Sequence, residues 1–149
     1  MTMACTACPT ISTLRCQTTC SNAFTGEALP HRHPRLAADA VNETRAIVQD
    51  VRNSIFLSAA SAWEIAIKYR LGKLPLPEPP ASYVPNRMRR SGTSPLSVDH
   101  AHTLRTAELP DHHRDPFDRV LIAQAQLLGL TIITADDLLA AYDVAVVTA

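Results

Sequence analysis

The sequence predicts one α/β domain built around a central parallel sheet, and three features carry that expectation. Residues 116–134 read as an amphipathic helix leading into a short, β-branched strand, and residues 55–71 read as a strand followed by a helix. Three separated acids, Glu64, Asp118 and Asp136, stand on these two units. An open α/β sheet gathers its chemistry at the carboxyl ends of its strands, where such acids would meet.

Composition narrows the class. A chain of 149 residues suits a single domain large enough to bury a core without staples. Fourteen basic and fourteen acidic residues balance to zero, so a polyanion would have to be met by a local patch rather than by net charge. The chain has no apolar run long enough to span a membrane and no secretory leader pattern, so a soluble cytoplasmic protein without a membrane partner is expected.

In residues 1–30, rich in Thr, Ser, Cys and Ala, the apolar positions follow neither the strand nor the helix period, so a poorly ordered segment is expected there. Residues 31–149 are expected to form the domain. All four cysteines, Cys5, Cys8, Cys16 and Cys20, fall in the first segment. Four thiolates could close a zinc site, but the seven residues between the pairs are fewer than usual zinc spacings, and incidental thiols are the simpler reading. The change in composition near residue 30 is what a shifted or misassigned start would produce.

From Pro34 to Arg52 the pattern Leu36, Ala40, Val41, Ala46, Ile47 and Val51 suits one or two amphipathic helices. Ile55–Ser58 is a buried strand, and Ser58 or Ser61 caps a helix that runs to Leu71 before Gly72. On that helix Ala60, Trp63, Ile67 and Leu71 form the expected apolar stripe, with Trp63 as core and Glu64 on the same side. The plainer reading of Glu64 is an ion pair with Lys68 one turn on, worth about 0.2–0.5 kcal/mol.

Four prolines make residues 74–80 a stiff connector, because each fixes the backbone and removes a donor. A helix over residues 81–90 ends in Arg87, Arg89 and Arg90, which could meet phosphates, although a solvated helix C-terminus is the commoner cause of such a cluster. A short strand over residues 94–98, an N-cap at Asp99 and a helix to Glu108 follow. His112 and His113 come next, either as loop residues capping the previous turn or as proton carriers.

The most informative stretch is HHRDPFDRVLIAQAQLLGLTIITADD, residues 112–137. Pro116 fits a first helical position, Leu121, Ile122, Ala125 and Leu128 recur at helical spacing, and Gly129 offers a left-handed cap. Asp118 therefore projects from the first turn along the buried side. Leu130–Thr134 suits a buried parallel strand, and Asp136 lies just past its end. Read without function, Asp115 is an N-cap and Asp118 a first-turn acid favoured by the helix dipole, worth about 0.3–1 kcal/mol. Leu138–Ala141 reads as a helical turn and Val144–Val147 as a last strand.

RDPFDR, LIAQA, GLTIITAD and the upstream SAASAWEIAIKYRLGKLPLPEP together resemble the PIN-domain nucleases, with VapC-type toxins of toxin–antitoxin pairs as the nearest look-alikes. The resemblance runs in order from about His33 to Val147. It implies a three-layer α/β/α fold whose central parallel sheet has its first strand missing or replaced, because the family's opening strand and its terminal acid are not visible here. Counted back from His33-Pro34-Arg35-Leu36, that acid should lie near Asn22; Glu27 is the nearest carboxylate, and no strand delivers it. The resemblance also implies Glu64, Asp118 and Asp136 as metal ligands, with Asp115 as a nearby helper.

Clustered carboxylates at low dielectric must protonate, separate or share a cation such as Mg²⁺ or Mn²⁺. Such an ion suits hydrolysis of phosphodiester bonds. By resemblance the expected activity is a metal-dependent endoribonuclease, the toxin of a type II pair, with RNA as substrate, a cognate antitoxin as partner and a homodimer as assembly. The alternative is a catalytically impaired PIN remnant that acts only by binding protein.

Overall fold

The structure is a computed structural model, and it describes residues 2–5, 14–17 and 44–148. The elements run β1 (Thr2–Cys5), β2 (Leu14–Gln17), a helical stretch α1 (residues 44–49), β3 (Phe56–Ser58), α2 (Ala59–Arg70), α3 (Pro80–Ser91) and β4 (Ser94–Leu96). Then come α4 (His100–Arg105), a 3-10 turn (Thr106–Glu108), α5 (Pro116–Leu128), β5 (Thr131–Thr134), a second 3-10 turn (Asp137–Ala141) and β6 (Val146–Thr148).

The strands form one six-stranded sheet in the order β4-β3-β1-β2-β5-β6. Pairings β3–β4, β2–β5 and β5–β6 are parallel, whereas β1 is antiparallel to both β2 and β3. All strands except β1 therefore point the same way, and the carboxyl ends of β2, β3 and β5 share one edge.

This arrangement corrects the expectation for two short pieces of the opening segment. Thr2–Cys5 and Leu14–Gln17 are strands, and together they fill the space between β3 and β5. A central slot left empty would strand the backbone donors and acceptors of both neighbours, at about 1–3 kcal/mol each. Pairing through the backbone satisfies those groups without an apolar period in the inserted chain, which is why the sequence pattern did not show it. The zinc reading of the four cysteines, Asn22, Glu27, His33 and the helix expected from Pro34 lie wholly or partly outside the described residues.

Side chains alternate across the sheet and pack a layer of helices on each face. On one face Ile132, with Phe56, Leu96 and Val146 beside it, meets Ile122, Ala123 and Ala125 of α5. On the other, Leu57 meets Ile65 of α2 and Val84 of α3, while Ile55 and Ile133 meet Ile47 and Val48 of α1. The result is the three-layer α/β/α arrangement that the sequence predicted.

Three helix faces differ in detail from the periodic reading. In α2 the buried residues are Ala60, Ser61 and Ile65, whereas Trp63 is 64% and Leu71 61% exposed. The expected stripe is thus rotated: a small residue, Ser61, lets α2 approach its neighbours on a face that hydrophobicity alone does not mark. Trp63 is accordingly not core; it meets Phe117 edge-on at a centroid distance of 5.1 Å. Leu128 and Val51, both expected inside, are exposed. Arg87, Arg89 and Arg90 all lie on the exposed side of α3.

A polar bridge crosses the core beside the carboxyl edge. Ser58 Oγ caps α2 by accepting from Ala60 N–H at 3.2 Å and donates to Gln124 Oε1 at 2.7 Å, and Gln124 Nε2 donates to Ser97 O at 2.8 Å. Ser58 and Gln124 are fully buried. Ser61 Oγ, by contrast, is a buried atom without a hydrogen-bond partner among the described residues. Gln124→Leu should therefore lose about 1–3 kcal/mol in urea unfolding, because it leaves the buried Ser58 hydroxyl without its acceptor. Ser61→Ala should be neutral or stabilising by up to about 1 kcal/mol in the same assay. The opposite ranking would contradict this account of the core.

Candidate metal centre

Each acid reaches the edge for a local reason. Asp115 caps α5: its Oδ1 accepts from Phe117 N–H at 2.8 Å, and Pro116 follows at the first helical position, where its missing donor costs nothing. That cap starts the helix three residues before Asp118 and so places Asp118 in its first turn. Gly129 ends the helix at φ +61°, a left-handed conformation that glycine adopts without strain. The chain then turns back through β5. Past its end, Asp136 accepts from Leu138 N–H at 2.9 Å through Oδ1, while its own N–H donates to Thr134 Oγ1 at 3.0 Å.

Asp118 and Asp136 converge on one imidazole. His113 Nε2 lies 3.0 Å from Asp136 Oδ2 and 3.4 Å from Asp118 Oδ2. One ligand atom from each of His113, Asp118 and Asp136 falls within 4.8 Å of the other two. The side chains of His113, Asp118 and Asp136 are only 13%, 19% and 23% exposed, so this is a recess rather than a solvated surface.

Glu64 stands outside that tight group. It is half-buried on α2, where Lys68 Nζ pairs with its Oε1 at 2.6 Å, as the plainer sequence reading expected. Its charge nevertheless reaches the recess. Burial, above all, pushes the Asp118 carboxyl up to about 7; His113 opposes the rise, while Asp115, Glu64 and Asp136 add to it. All four acids singled out from the sequence therefore act electrostatically on one spot. Asp115 does so from an exposed cap, not as a member of the 4.8 Å group.

His113 is the residue the sequence reading undervalued. The signal available was its place two residues before a capped helix that opens with an acid, in a loop whose ring can fold back over that helix's first turn. His112 does not join it: its ring packs edge-on against Tyr142 at 5.1 Å.

The donor set suits a hard divalent cation. Carboxylate oxygens from two elements share a recess, and a third and fourth carboxylate raise the negative potential around them. Asp118 can meet that potential by holding a proton up to about pH 7, or the group can meet it by sharing a cation with oxygen preference.

Comparison with known proteins places the chain in a family. The PIN domain profile matches residues 22–145, beginning beyond β2. The chain is similar to a protein named Ribonuclease VapC16 from Mycobacterium tuberculosis, with 93% identity over 103 residues, 69% of this chain and 73% of that one. No solved structure matches.

Proposed function

Because this chain belongs to the PIN-domain family, we propose that it is a metal-dependent endoribonuclease, the toxin of a type II toxin–antitoxin pair, hydrolysing phosphodiester bonds in RNA. The observation that carries the chemistry is the convergence of Asp118 and Asp136 within a 4.8 Å group in a half-closed recess, with Glu64 acting on the same spot. VapC-type ribonucleases generally use a divalent metal; here we assign Mg²⁺ or Mn²⁺, held by Asp118 and Asp136 with Glu64.

When bound, such an ion polarises a phosphoryl oxygen and lowers the pKa of a water, so hydrolysis needs no nucleophilic side chain. The protein's own groups do the rest. Asp118 and Asp136 project oxygens from a helix start and a strand end whose backbones are fixed by caps, so they need little reorganisation. Lys68 holds Glu64 at the rim and limits the negative charge that an approaching RNA backbone meets. Asp115 sets the start of α5 and so the reach of Asp118.

The same reading assigns a cognate antitoxin as the controlling partner and a homodimer as the working assembly. Trp63 on α2 and Leu71 at its C-cap supply exposed apolar surface for either. Among the described residues no helix is long and apolar enough to cross a membrane.

The test is cleavage of a generic single-stranded RNA by the purified full chain in Mn²⁺, in Mg²⁺ and in a chelator. Endonucleolytic fragments that appear with the ions and vanish with the chelator are expected. A folded chain that leaves RNA intact in both ions would replace this reading with the catalytically impaired binding module.

A further inference from the structure

We propose that His113 is a positioning residue for the cation site: its Nε2–H holds Asp136 Oδ2 while Asp118 lies against the same nitrogen, so that the two carboxylates are gathered and aimed before a cation arrives. The inference rests on the divalent-cation reading given above and adds to it a residue outside the acid set.

The position of the ring hydrogen follows from the other ring nitrogen. Asp115 N–H donates to His113 Nδ1 at 3.1 Å, so Nδ1 is the acceptor and the hydrogen of the neutral ring sits on Nε2. Nε2 makes its hydrogen bond to Asp136 Oδ2 at 3.0 Å, and Asp118 Oδ2 lies 3.4 Å from the same nitrogen. For Nε2 to become a ligand, its hydrogen would have to move to Nδ1, where it would confront the Asp115 N–H. The ring is therefore set to hold ligands rather than to be one. Asp136 is fixed at both oxygens, Oδ1 by Leu138 N–H and Oδ2 by His113, and a carboxylate oxygen retains a second lone pair for a cation.

The ring itself is braced from the backbone. His113 N–H donates to the Tyr142 hydroxyl at 2.7 Å, and that hydroxyl donates to Pro110 O at 3.1 Å. Arg119, next to Asp118 in α5, donates to Thr106 O, Leu109 O, Pro110 O and His113 O at 2.8–3.1 Å. The helix that carries the acid thus also pins the loop that carries the histidine. Neither can shift without the other.

Groups that orient metal ligands from outside the ligand set typically contribute about 10–100-fold to metal affinity. The experiment is a Mn²⁺ titration of the full chain by calorimetry, with circular dichroism to confirm folding. His113→Ala should weaken Mn²⁺ binding by about 10–100-fold. His113→Gln, whose amide N–H reaches about as far as Nε2, should bind nearly as tightly as the wild type. His113→Asn, with the same chemistry and a shorter reach, should resemble the alanine variant. If His113→Ala does not fold, the glutamine and asparagine pair carries the comparison.

Equal or tighter Mn²⁺ binding by folded His113→Ala or His113→Asn overturns the proposal, as does a glutamine variant no better than asparagine. A wild-type chain that binds no Mn²⁺ overturns it together with the site reading, whereas unchanged affinity in the variants overturns this inference alone.

Discussion

Asp118→Asn should abolish RNA cleavage and at the same time stabilise the metal-free chain at pH 8. The two effects have one cause. The asparagine keeps the shape of the side chain but removes the charge that a cation needs, so cleavage should fall by at least about 100-fold. In the metal-free chain that charge is a liability: burial and the carboxylates of Asp115, Glu64 and Asp136 make ionising Asp118 unfavourable. Removing it should raise stability at pH 8 by about 1–3 kcal/mol, a few degrees in thermal midpoint for a domain of this size. A variant that lost activity and stability together would point to a purely structural acid.

Metal-free stability should fall as pH rises from 5 to 8, and a divalent cation should reverse the fall. The sign follows from Asp118, whose ordinary value of 3.8 is raised to about 7 in the folded chain. Between these values the folded chain holds the proton and the unfolded chain does not, so stability decreases with rising pH. The contribution is fully present below about pH 4 and is lost as pH climbs through 7. It amounts to a few kcal/mol at most, reduced by the residual solvent contact of the side chain. A cation bound only by the folded chain adds about 2.7 kcal/mol at a hundredfold excess over its dissociation constant. It also displaces the Asp118 proton, so its affinity should rise over the same pH window. Thermal unfolding at pH 5, 6, 7 and 8, with and without Mn²⁺, reads both effects; a metal-free midpoint that rises over this interval would contradict the assignment.

Much of the framework that carries the candidate site was legible in the chain because local rules fix it. Pro116 and Gly129 bound α5 to the residue, the apolar run after Gly129 is β5, and the acid past its end is Asp136, as the pattern implied. What sequence could not give were choices made by tertiary contact. The face of α2 that packs is chosen by Ser61, a small polar residue that no hydrophobic period marks. The strands β1 and β2 form because β3 and β5 offer backbone partners, not because their side chains alternate. His113 lies in a loop, and its role depends on Arg119 and Tyr142 folding that loop back over α5.

Glu64, Asp118 and Asp136 are proposed to share one divalent cation. Anomalous diffraction from crystals of the full chain grown in Mn²⁺ tests it most directly. The account predicts a single peak per chain within coordination distance of Asp118 and Asp136 and next to Glu64, absent from the Asp118→Asn crystal. No peak at millimolar Mn²⁺, or a peak away from these carboxylates, would contradict it.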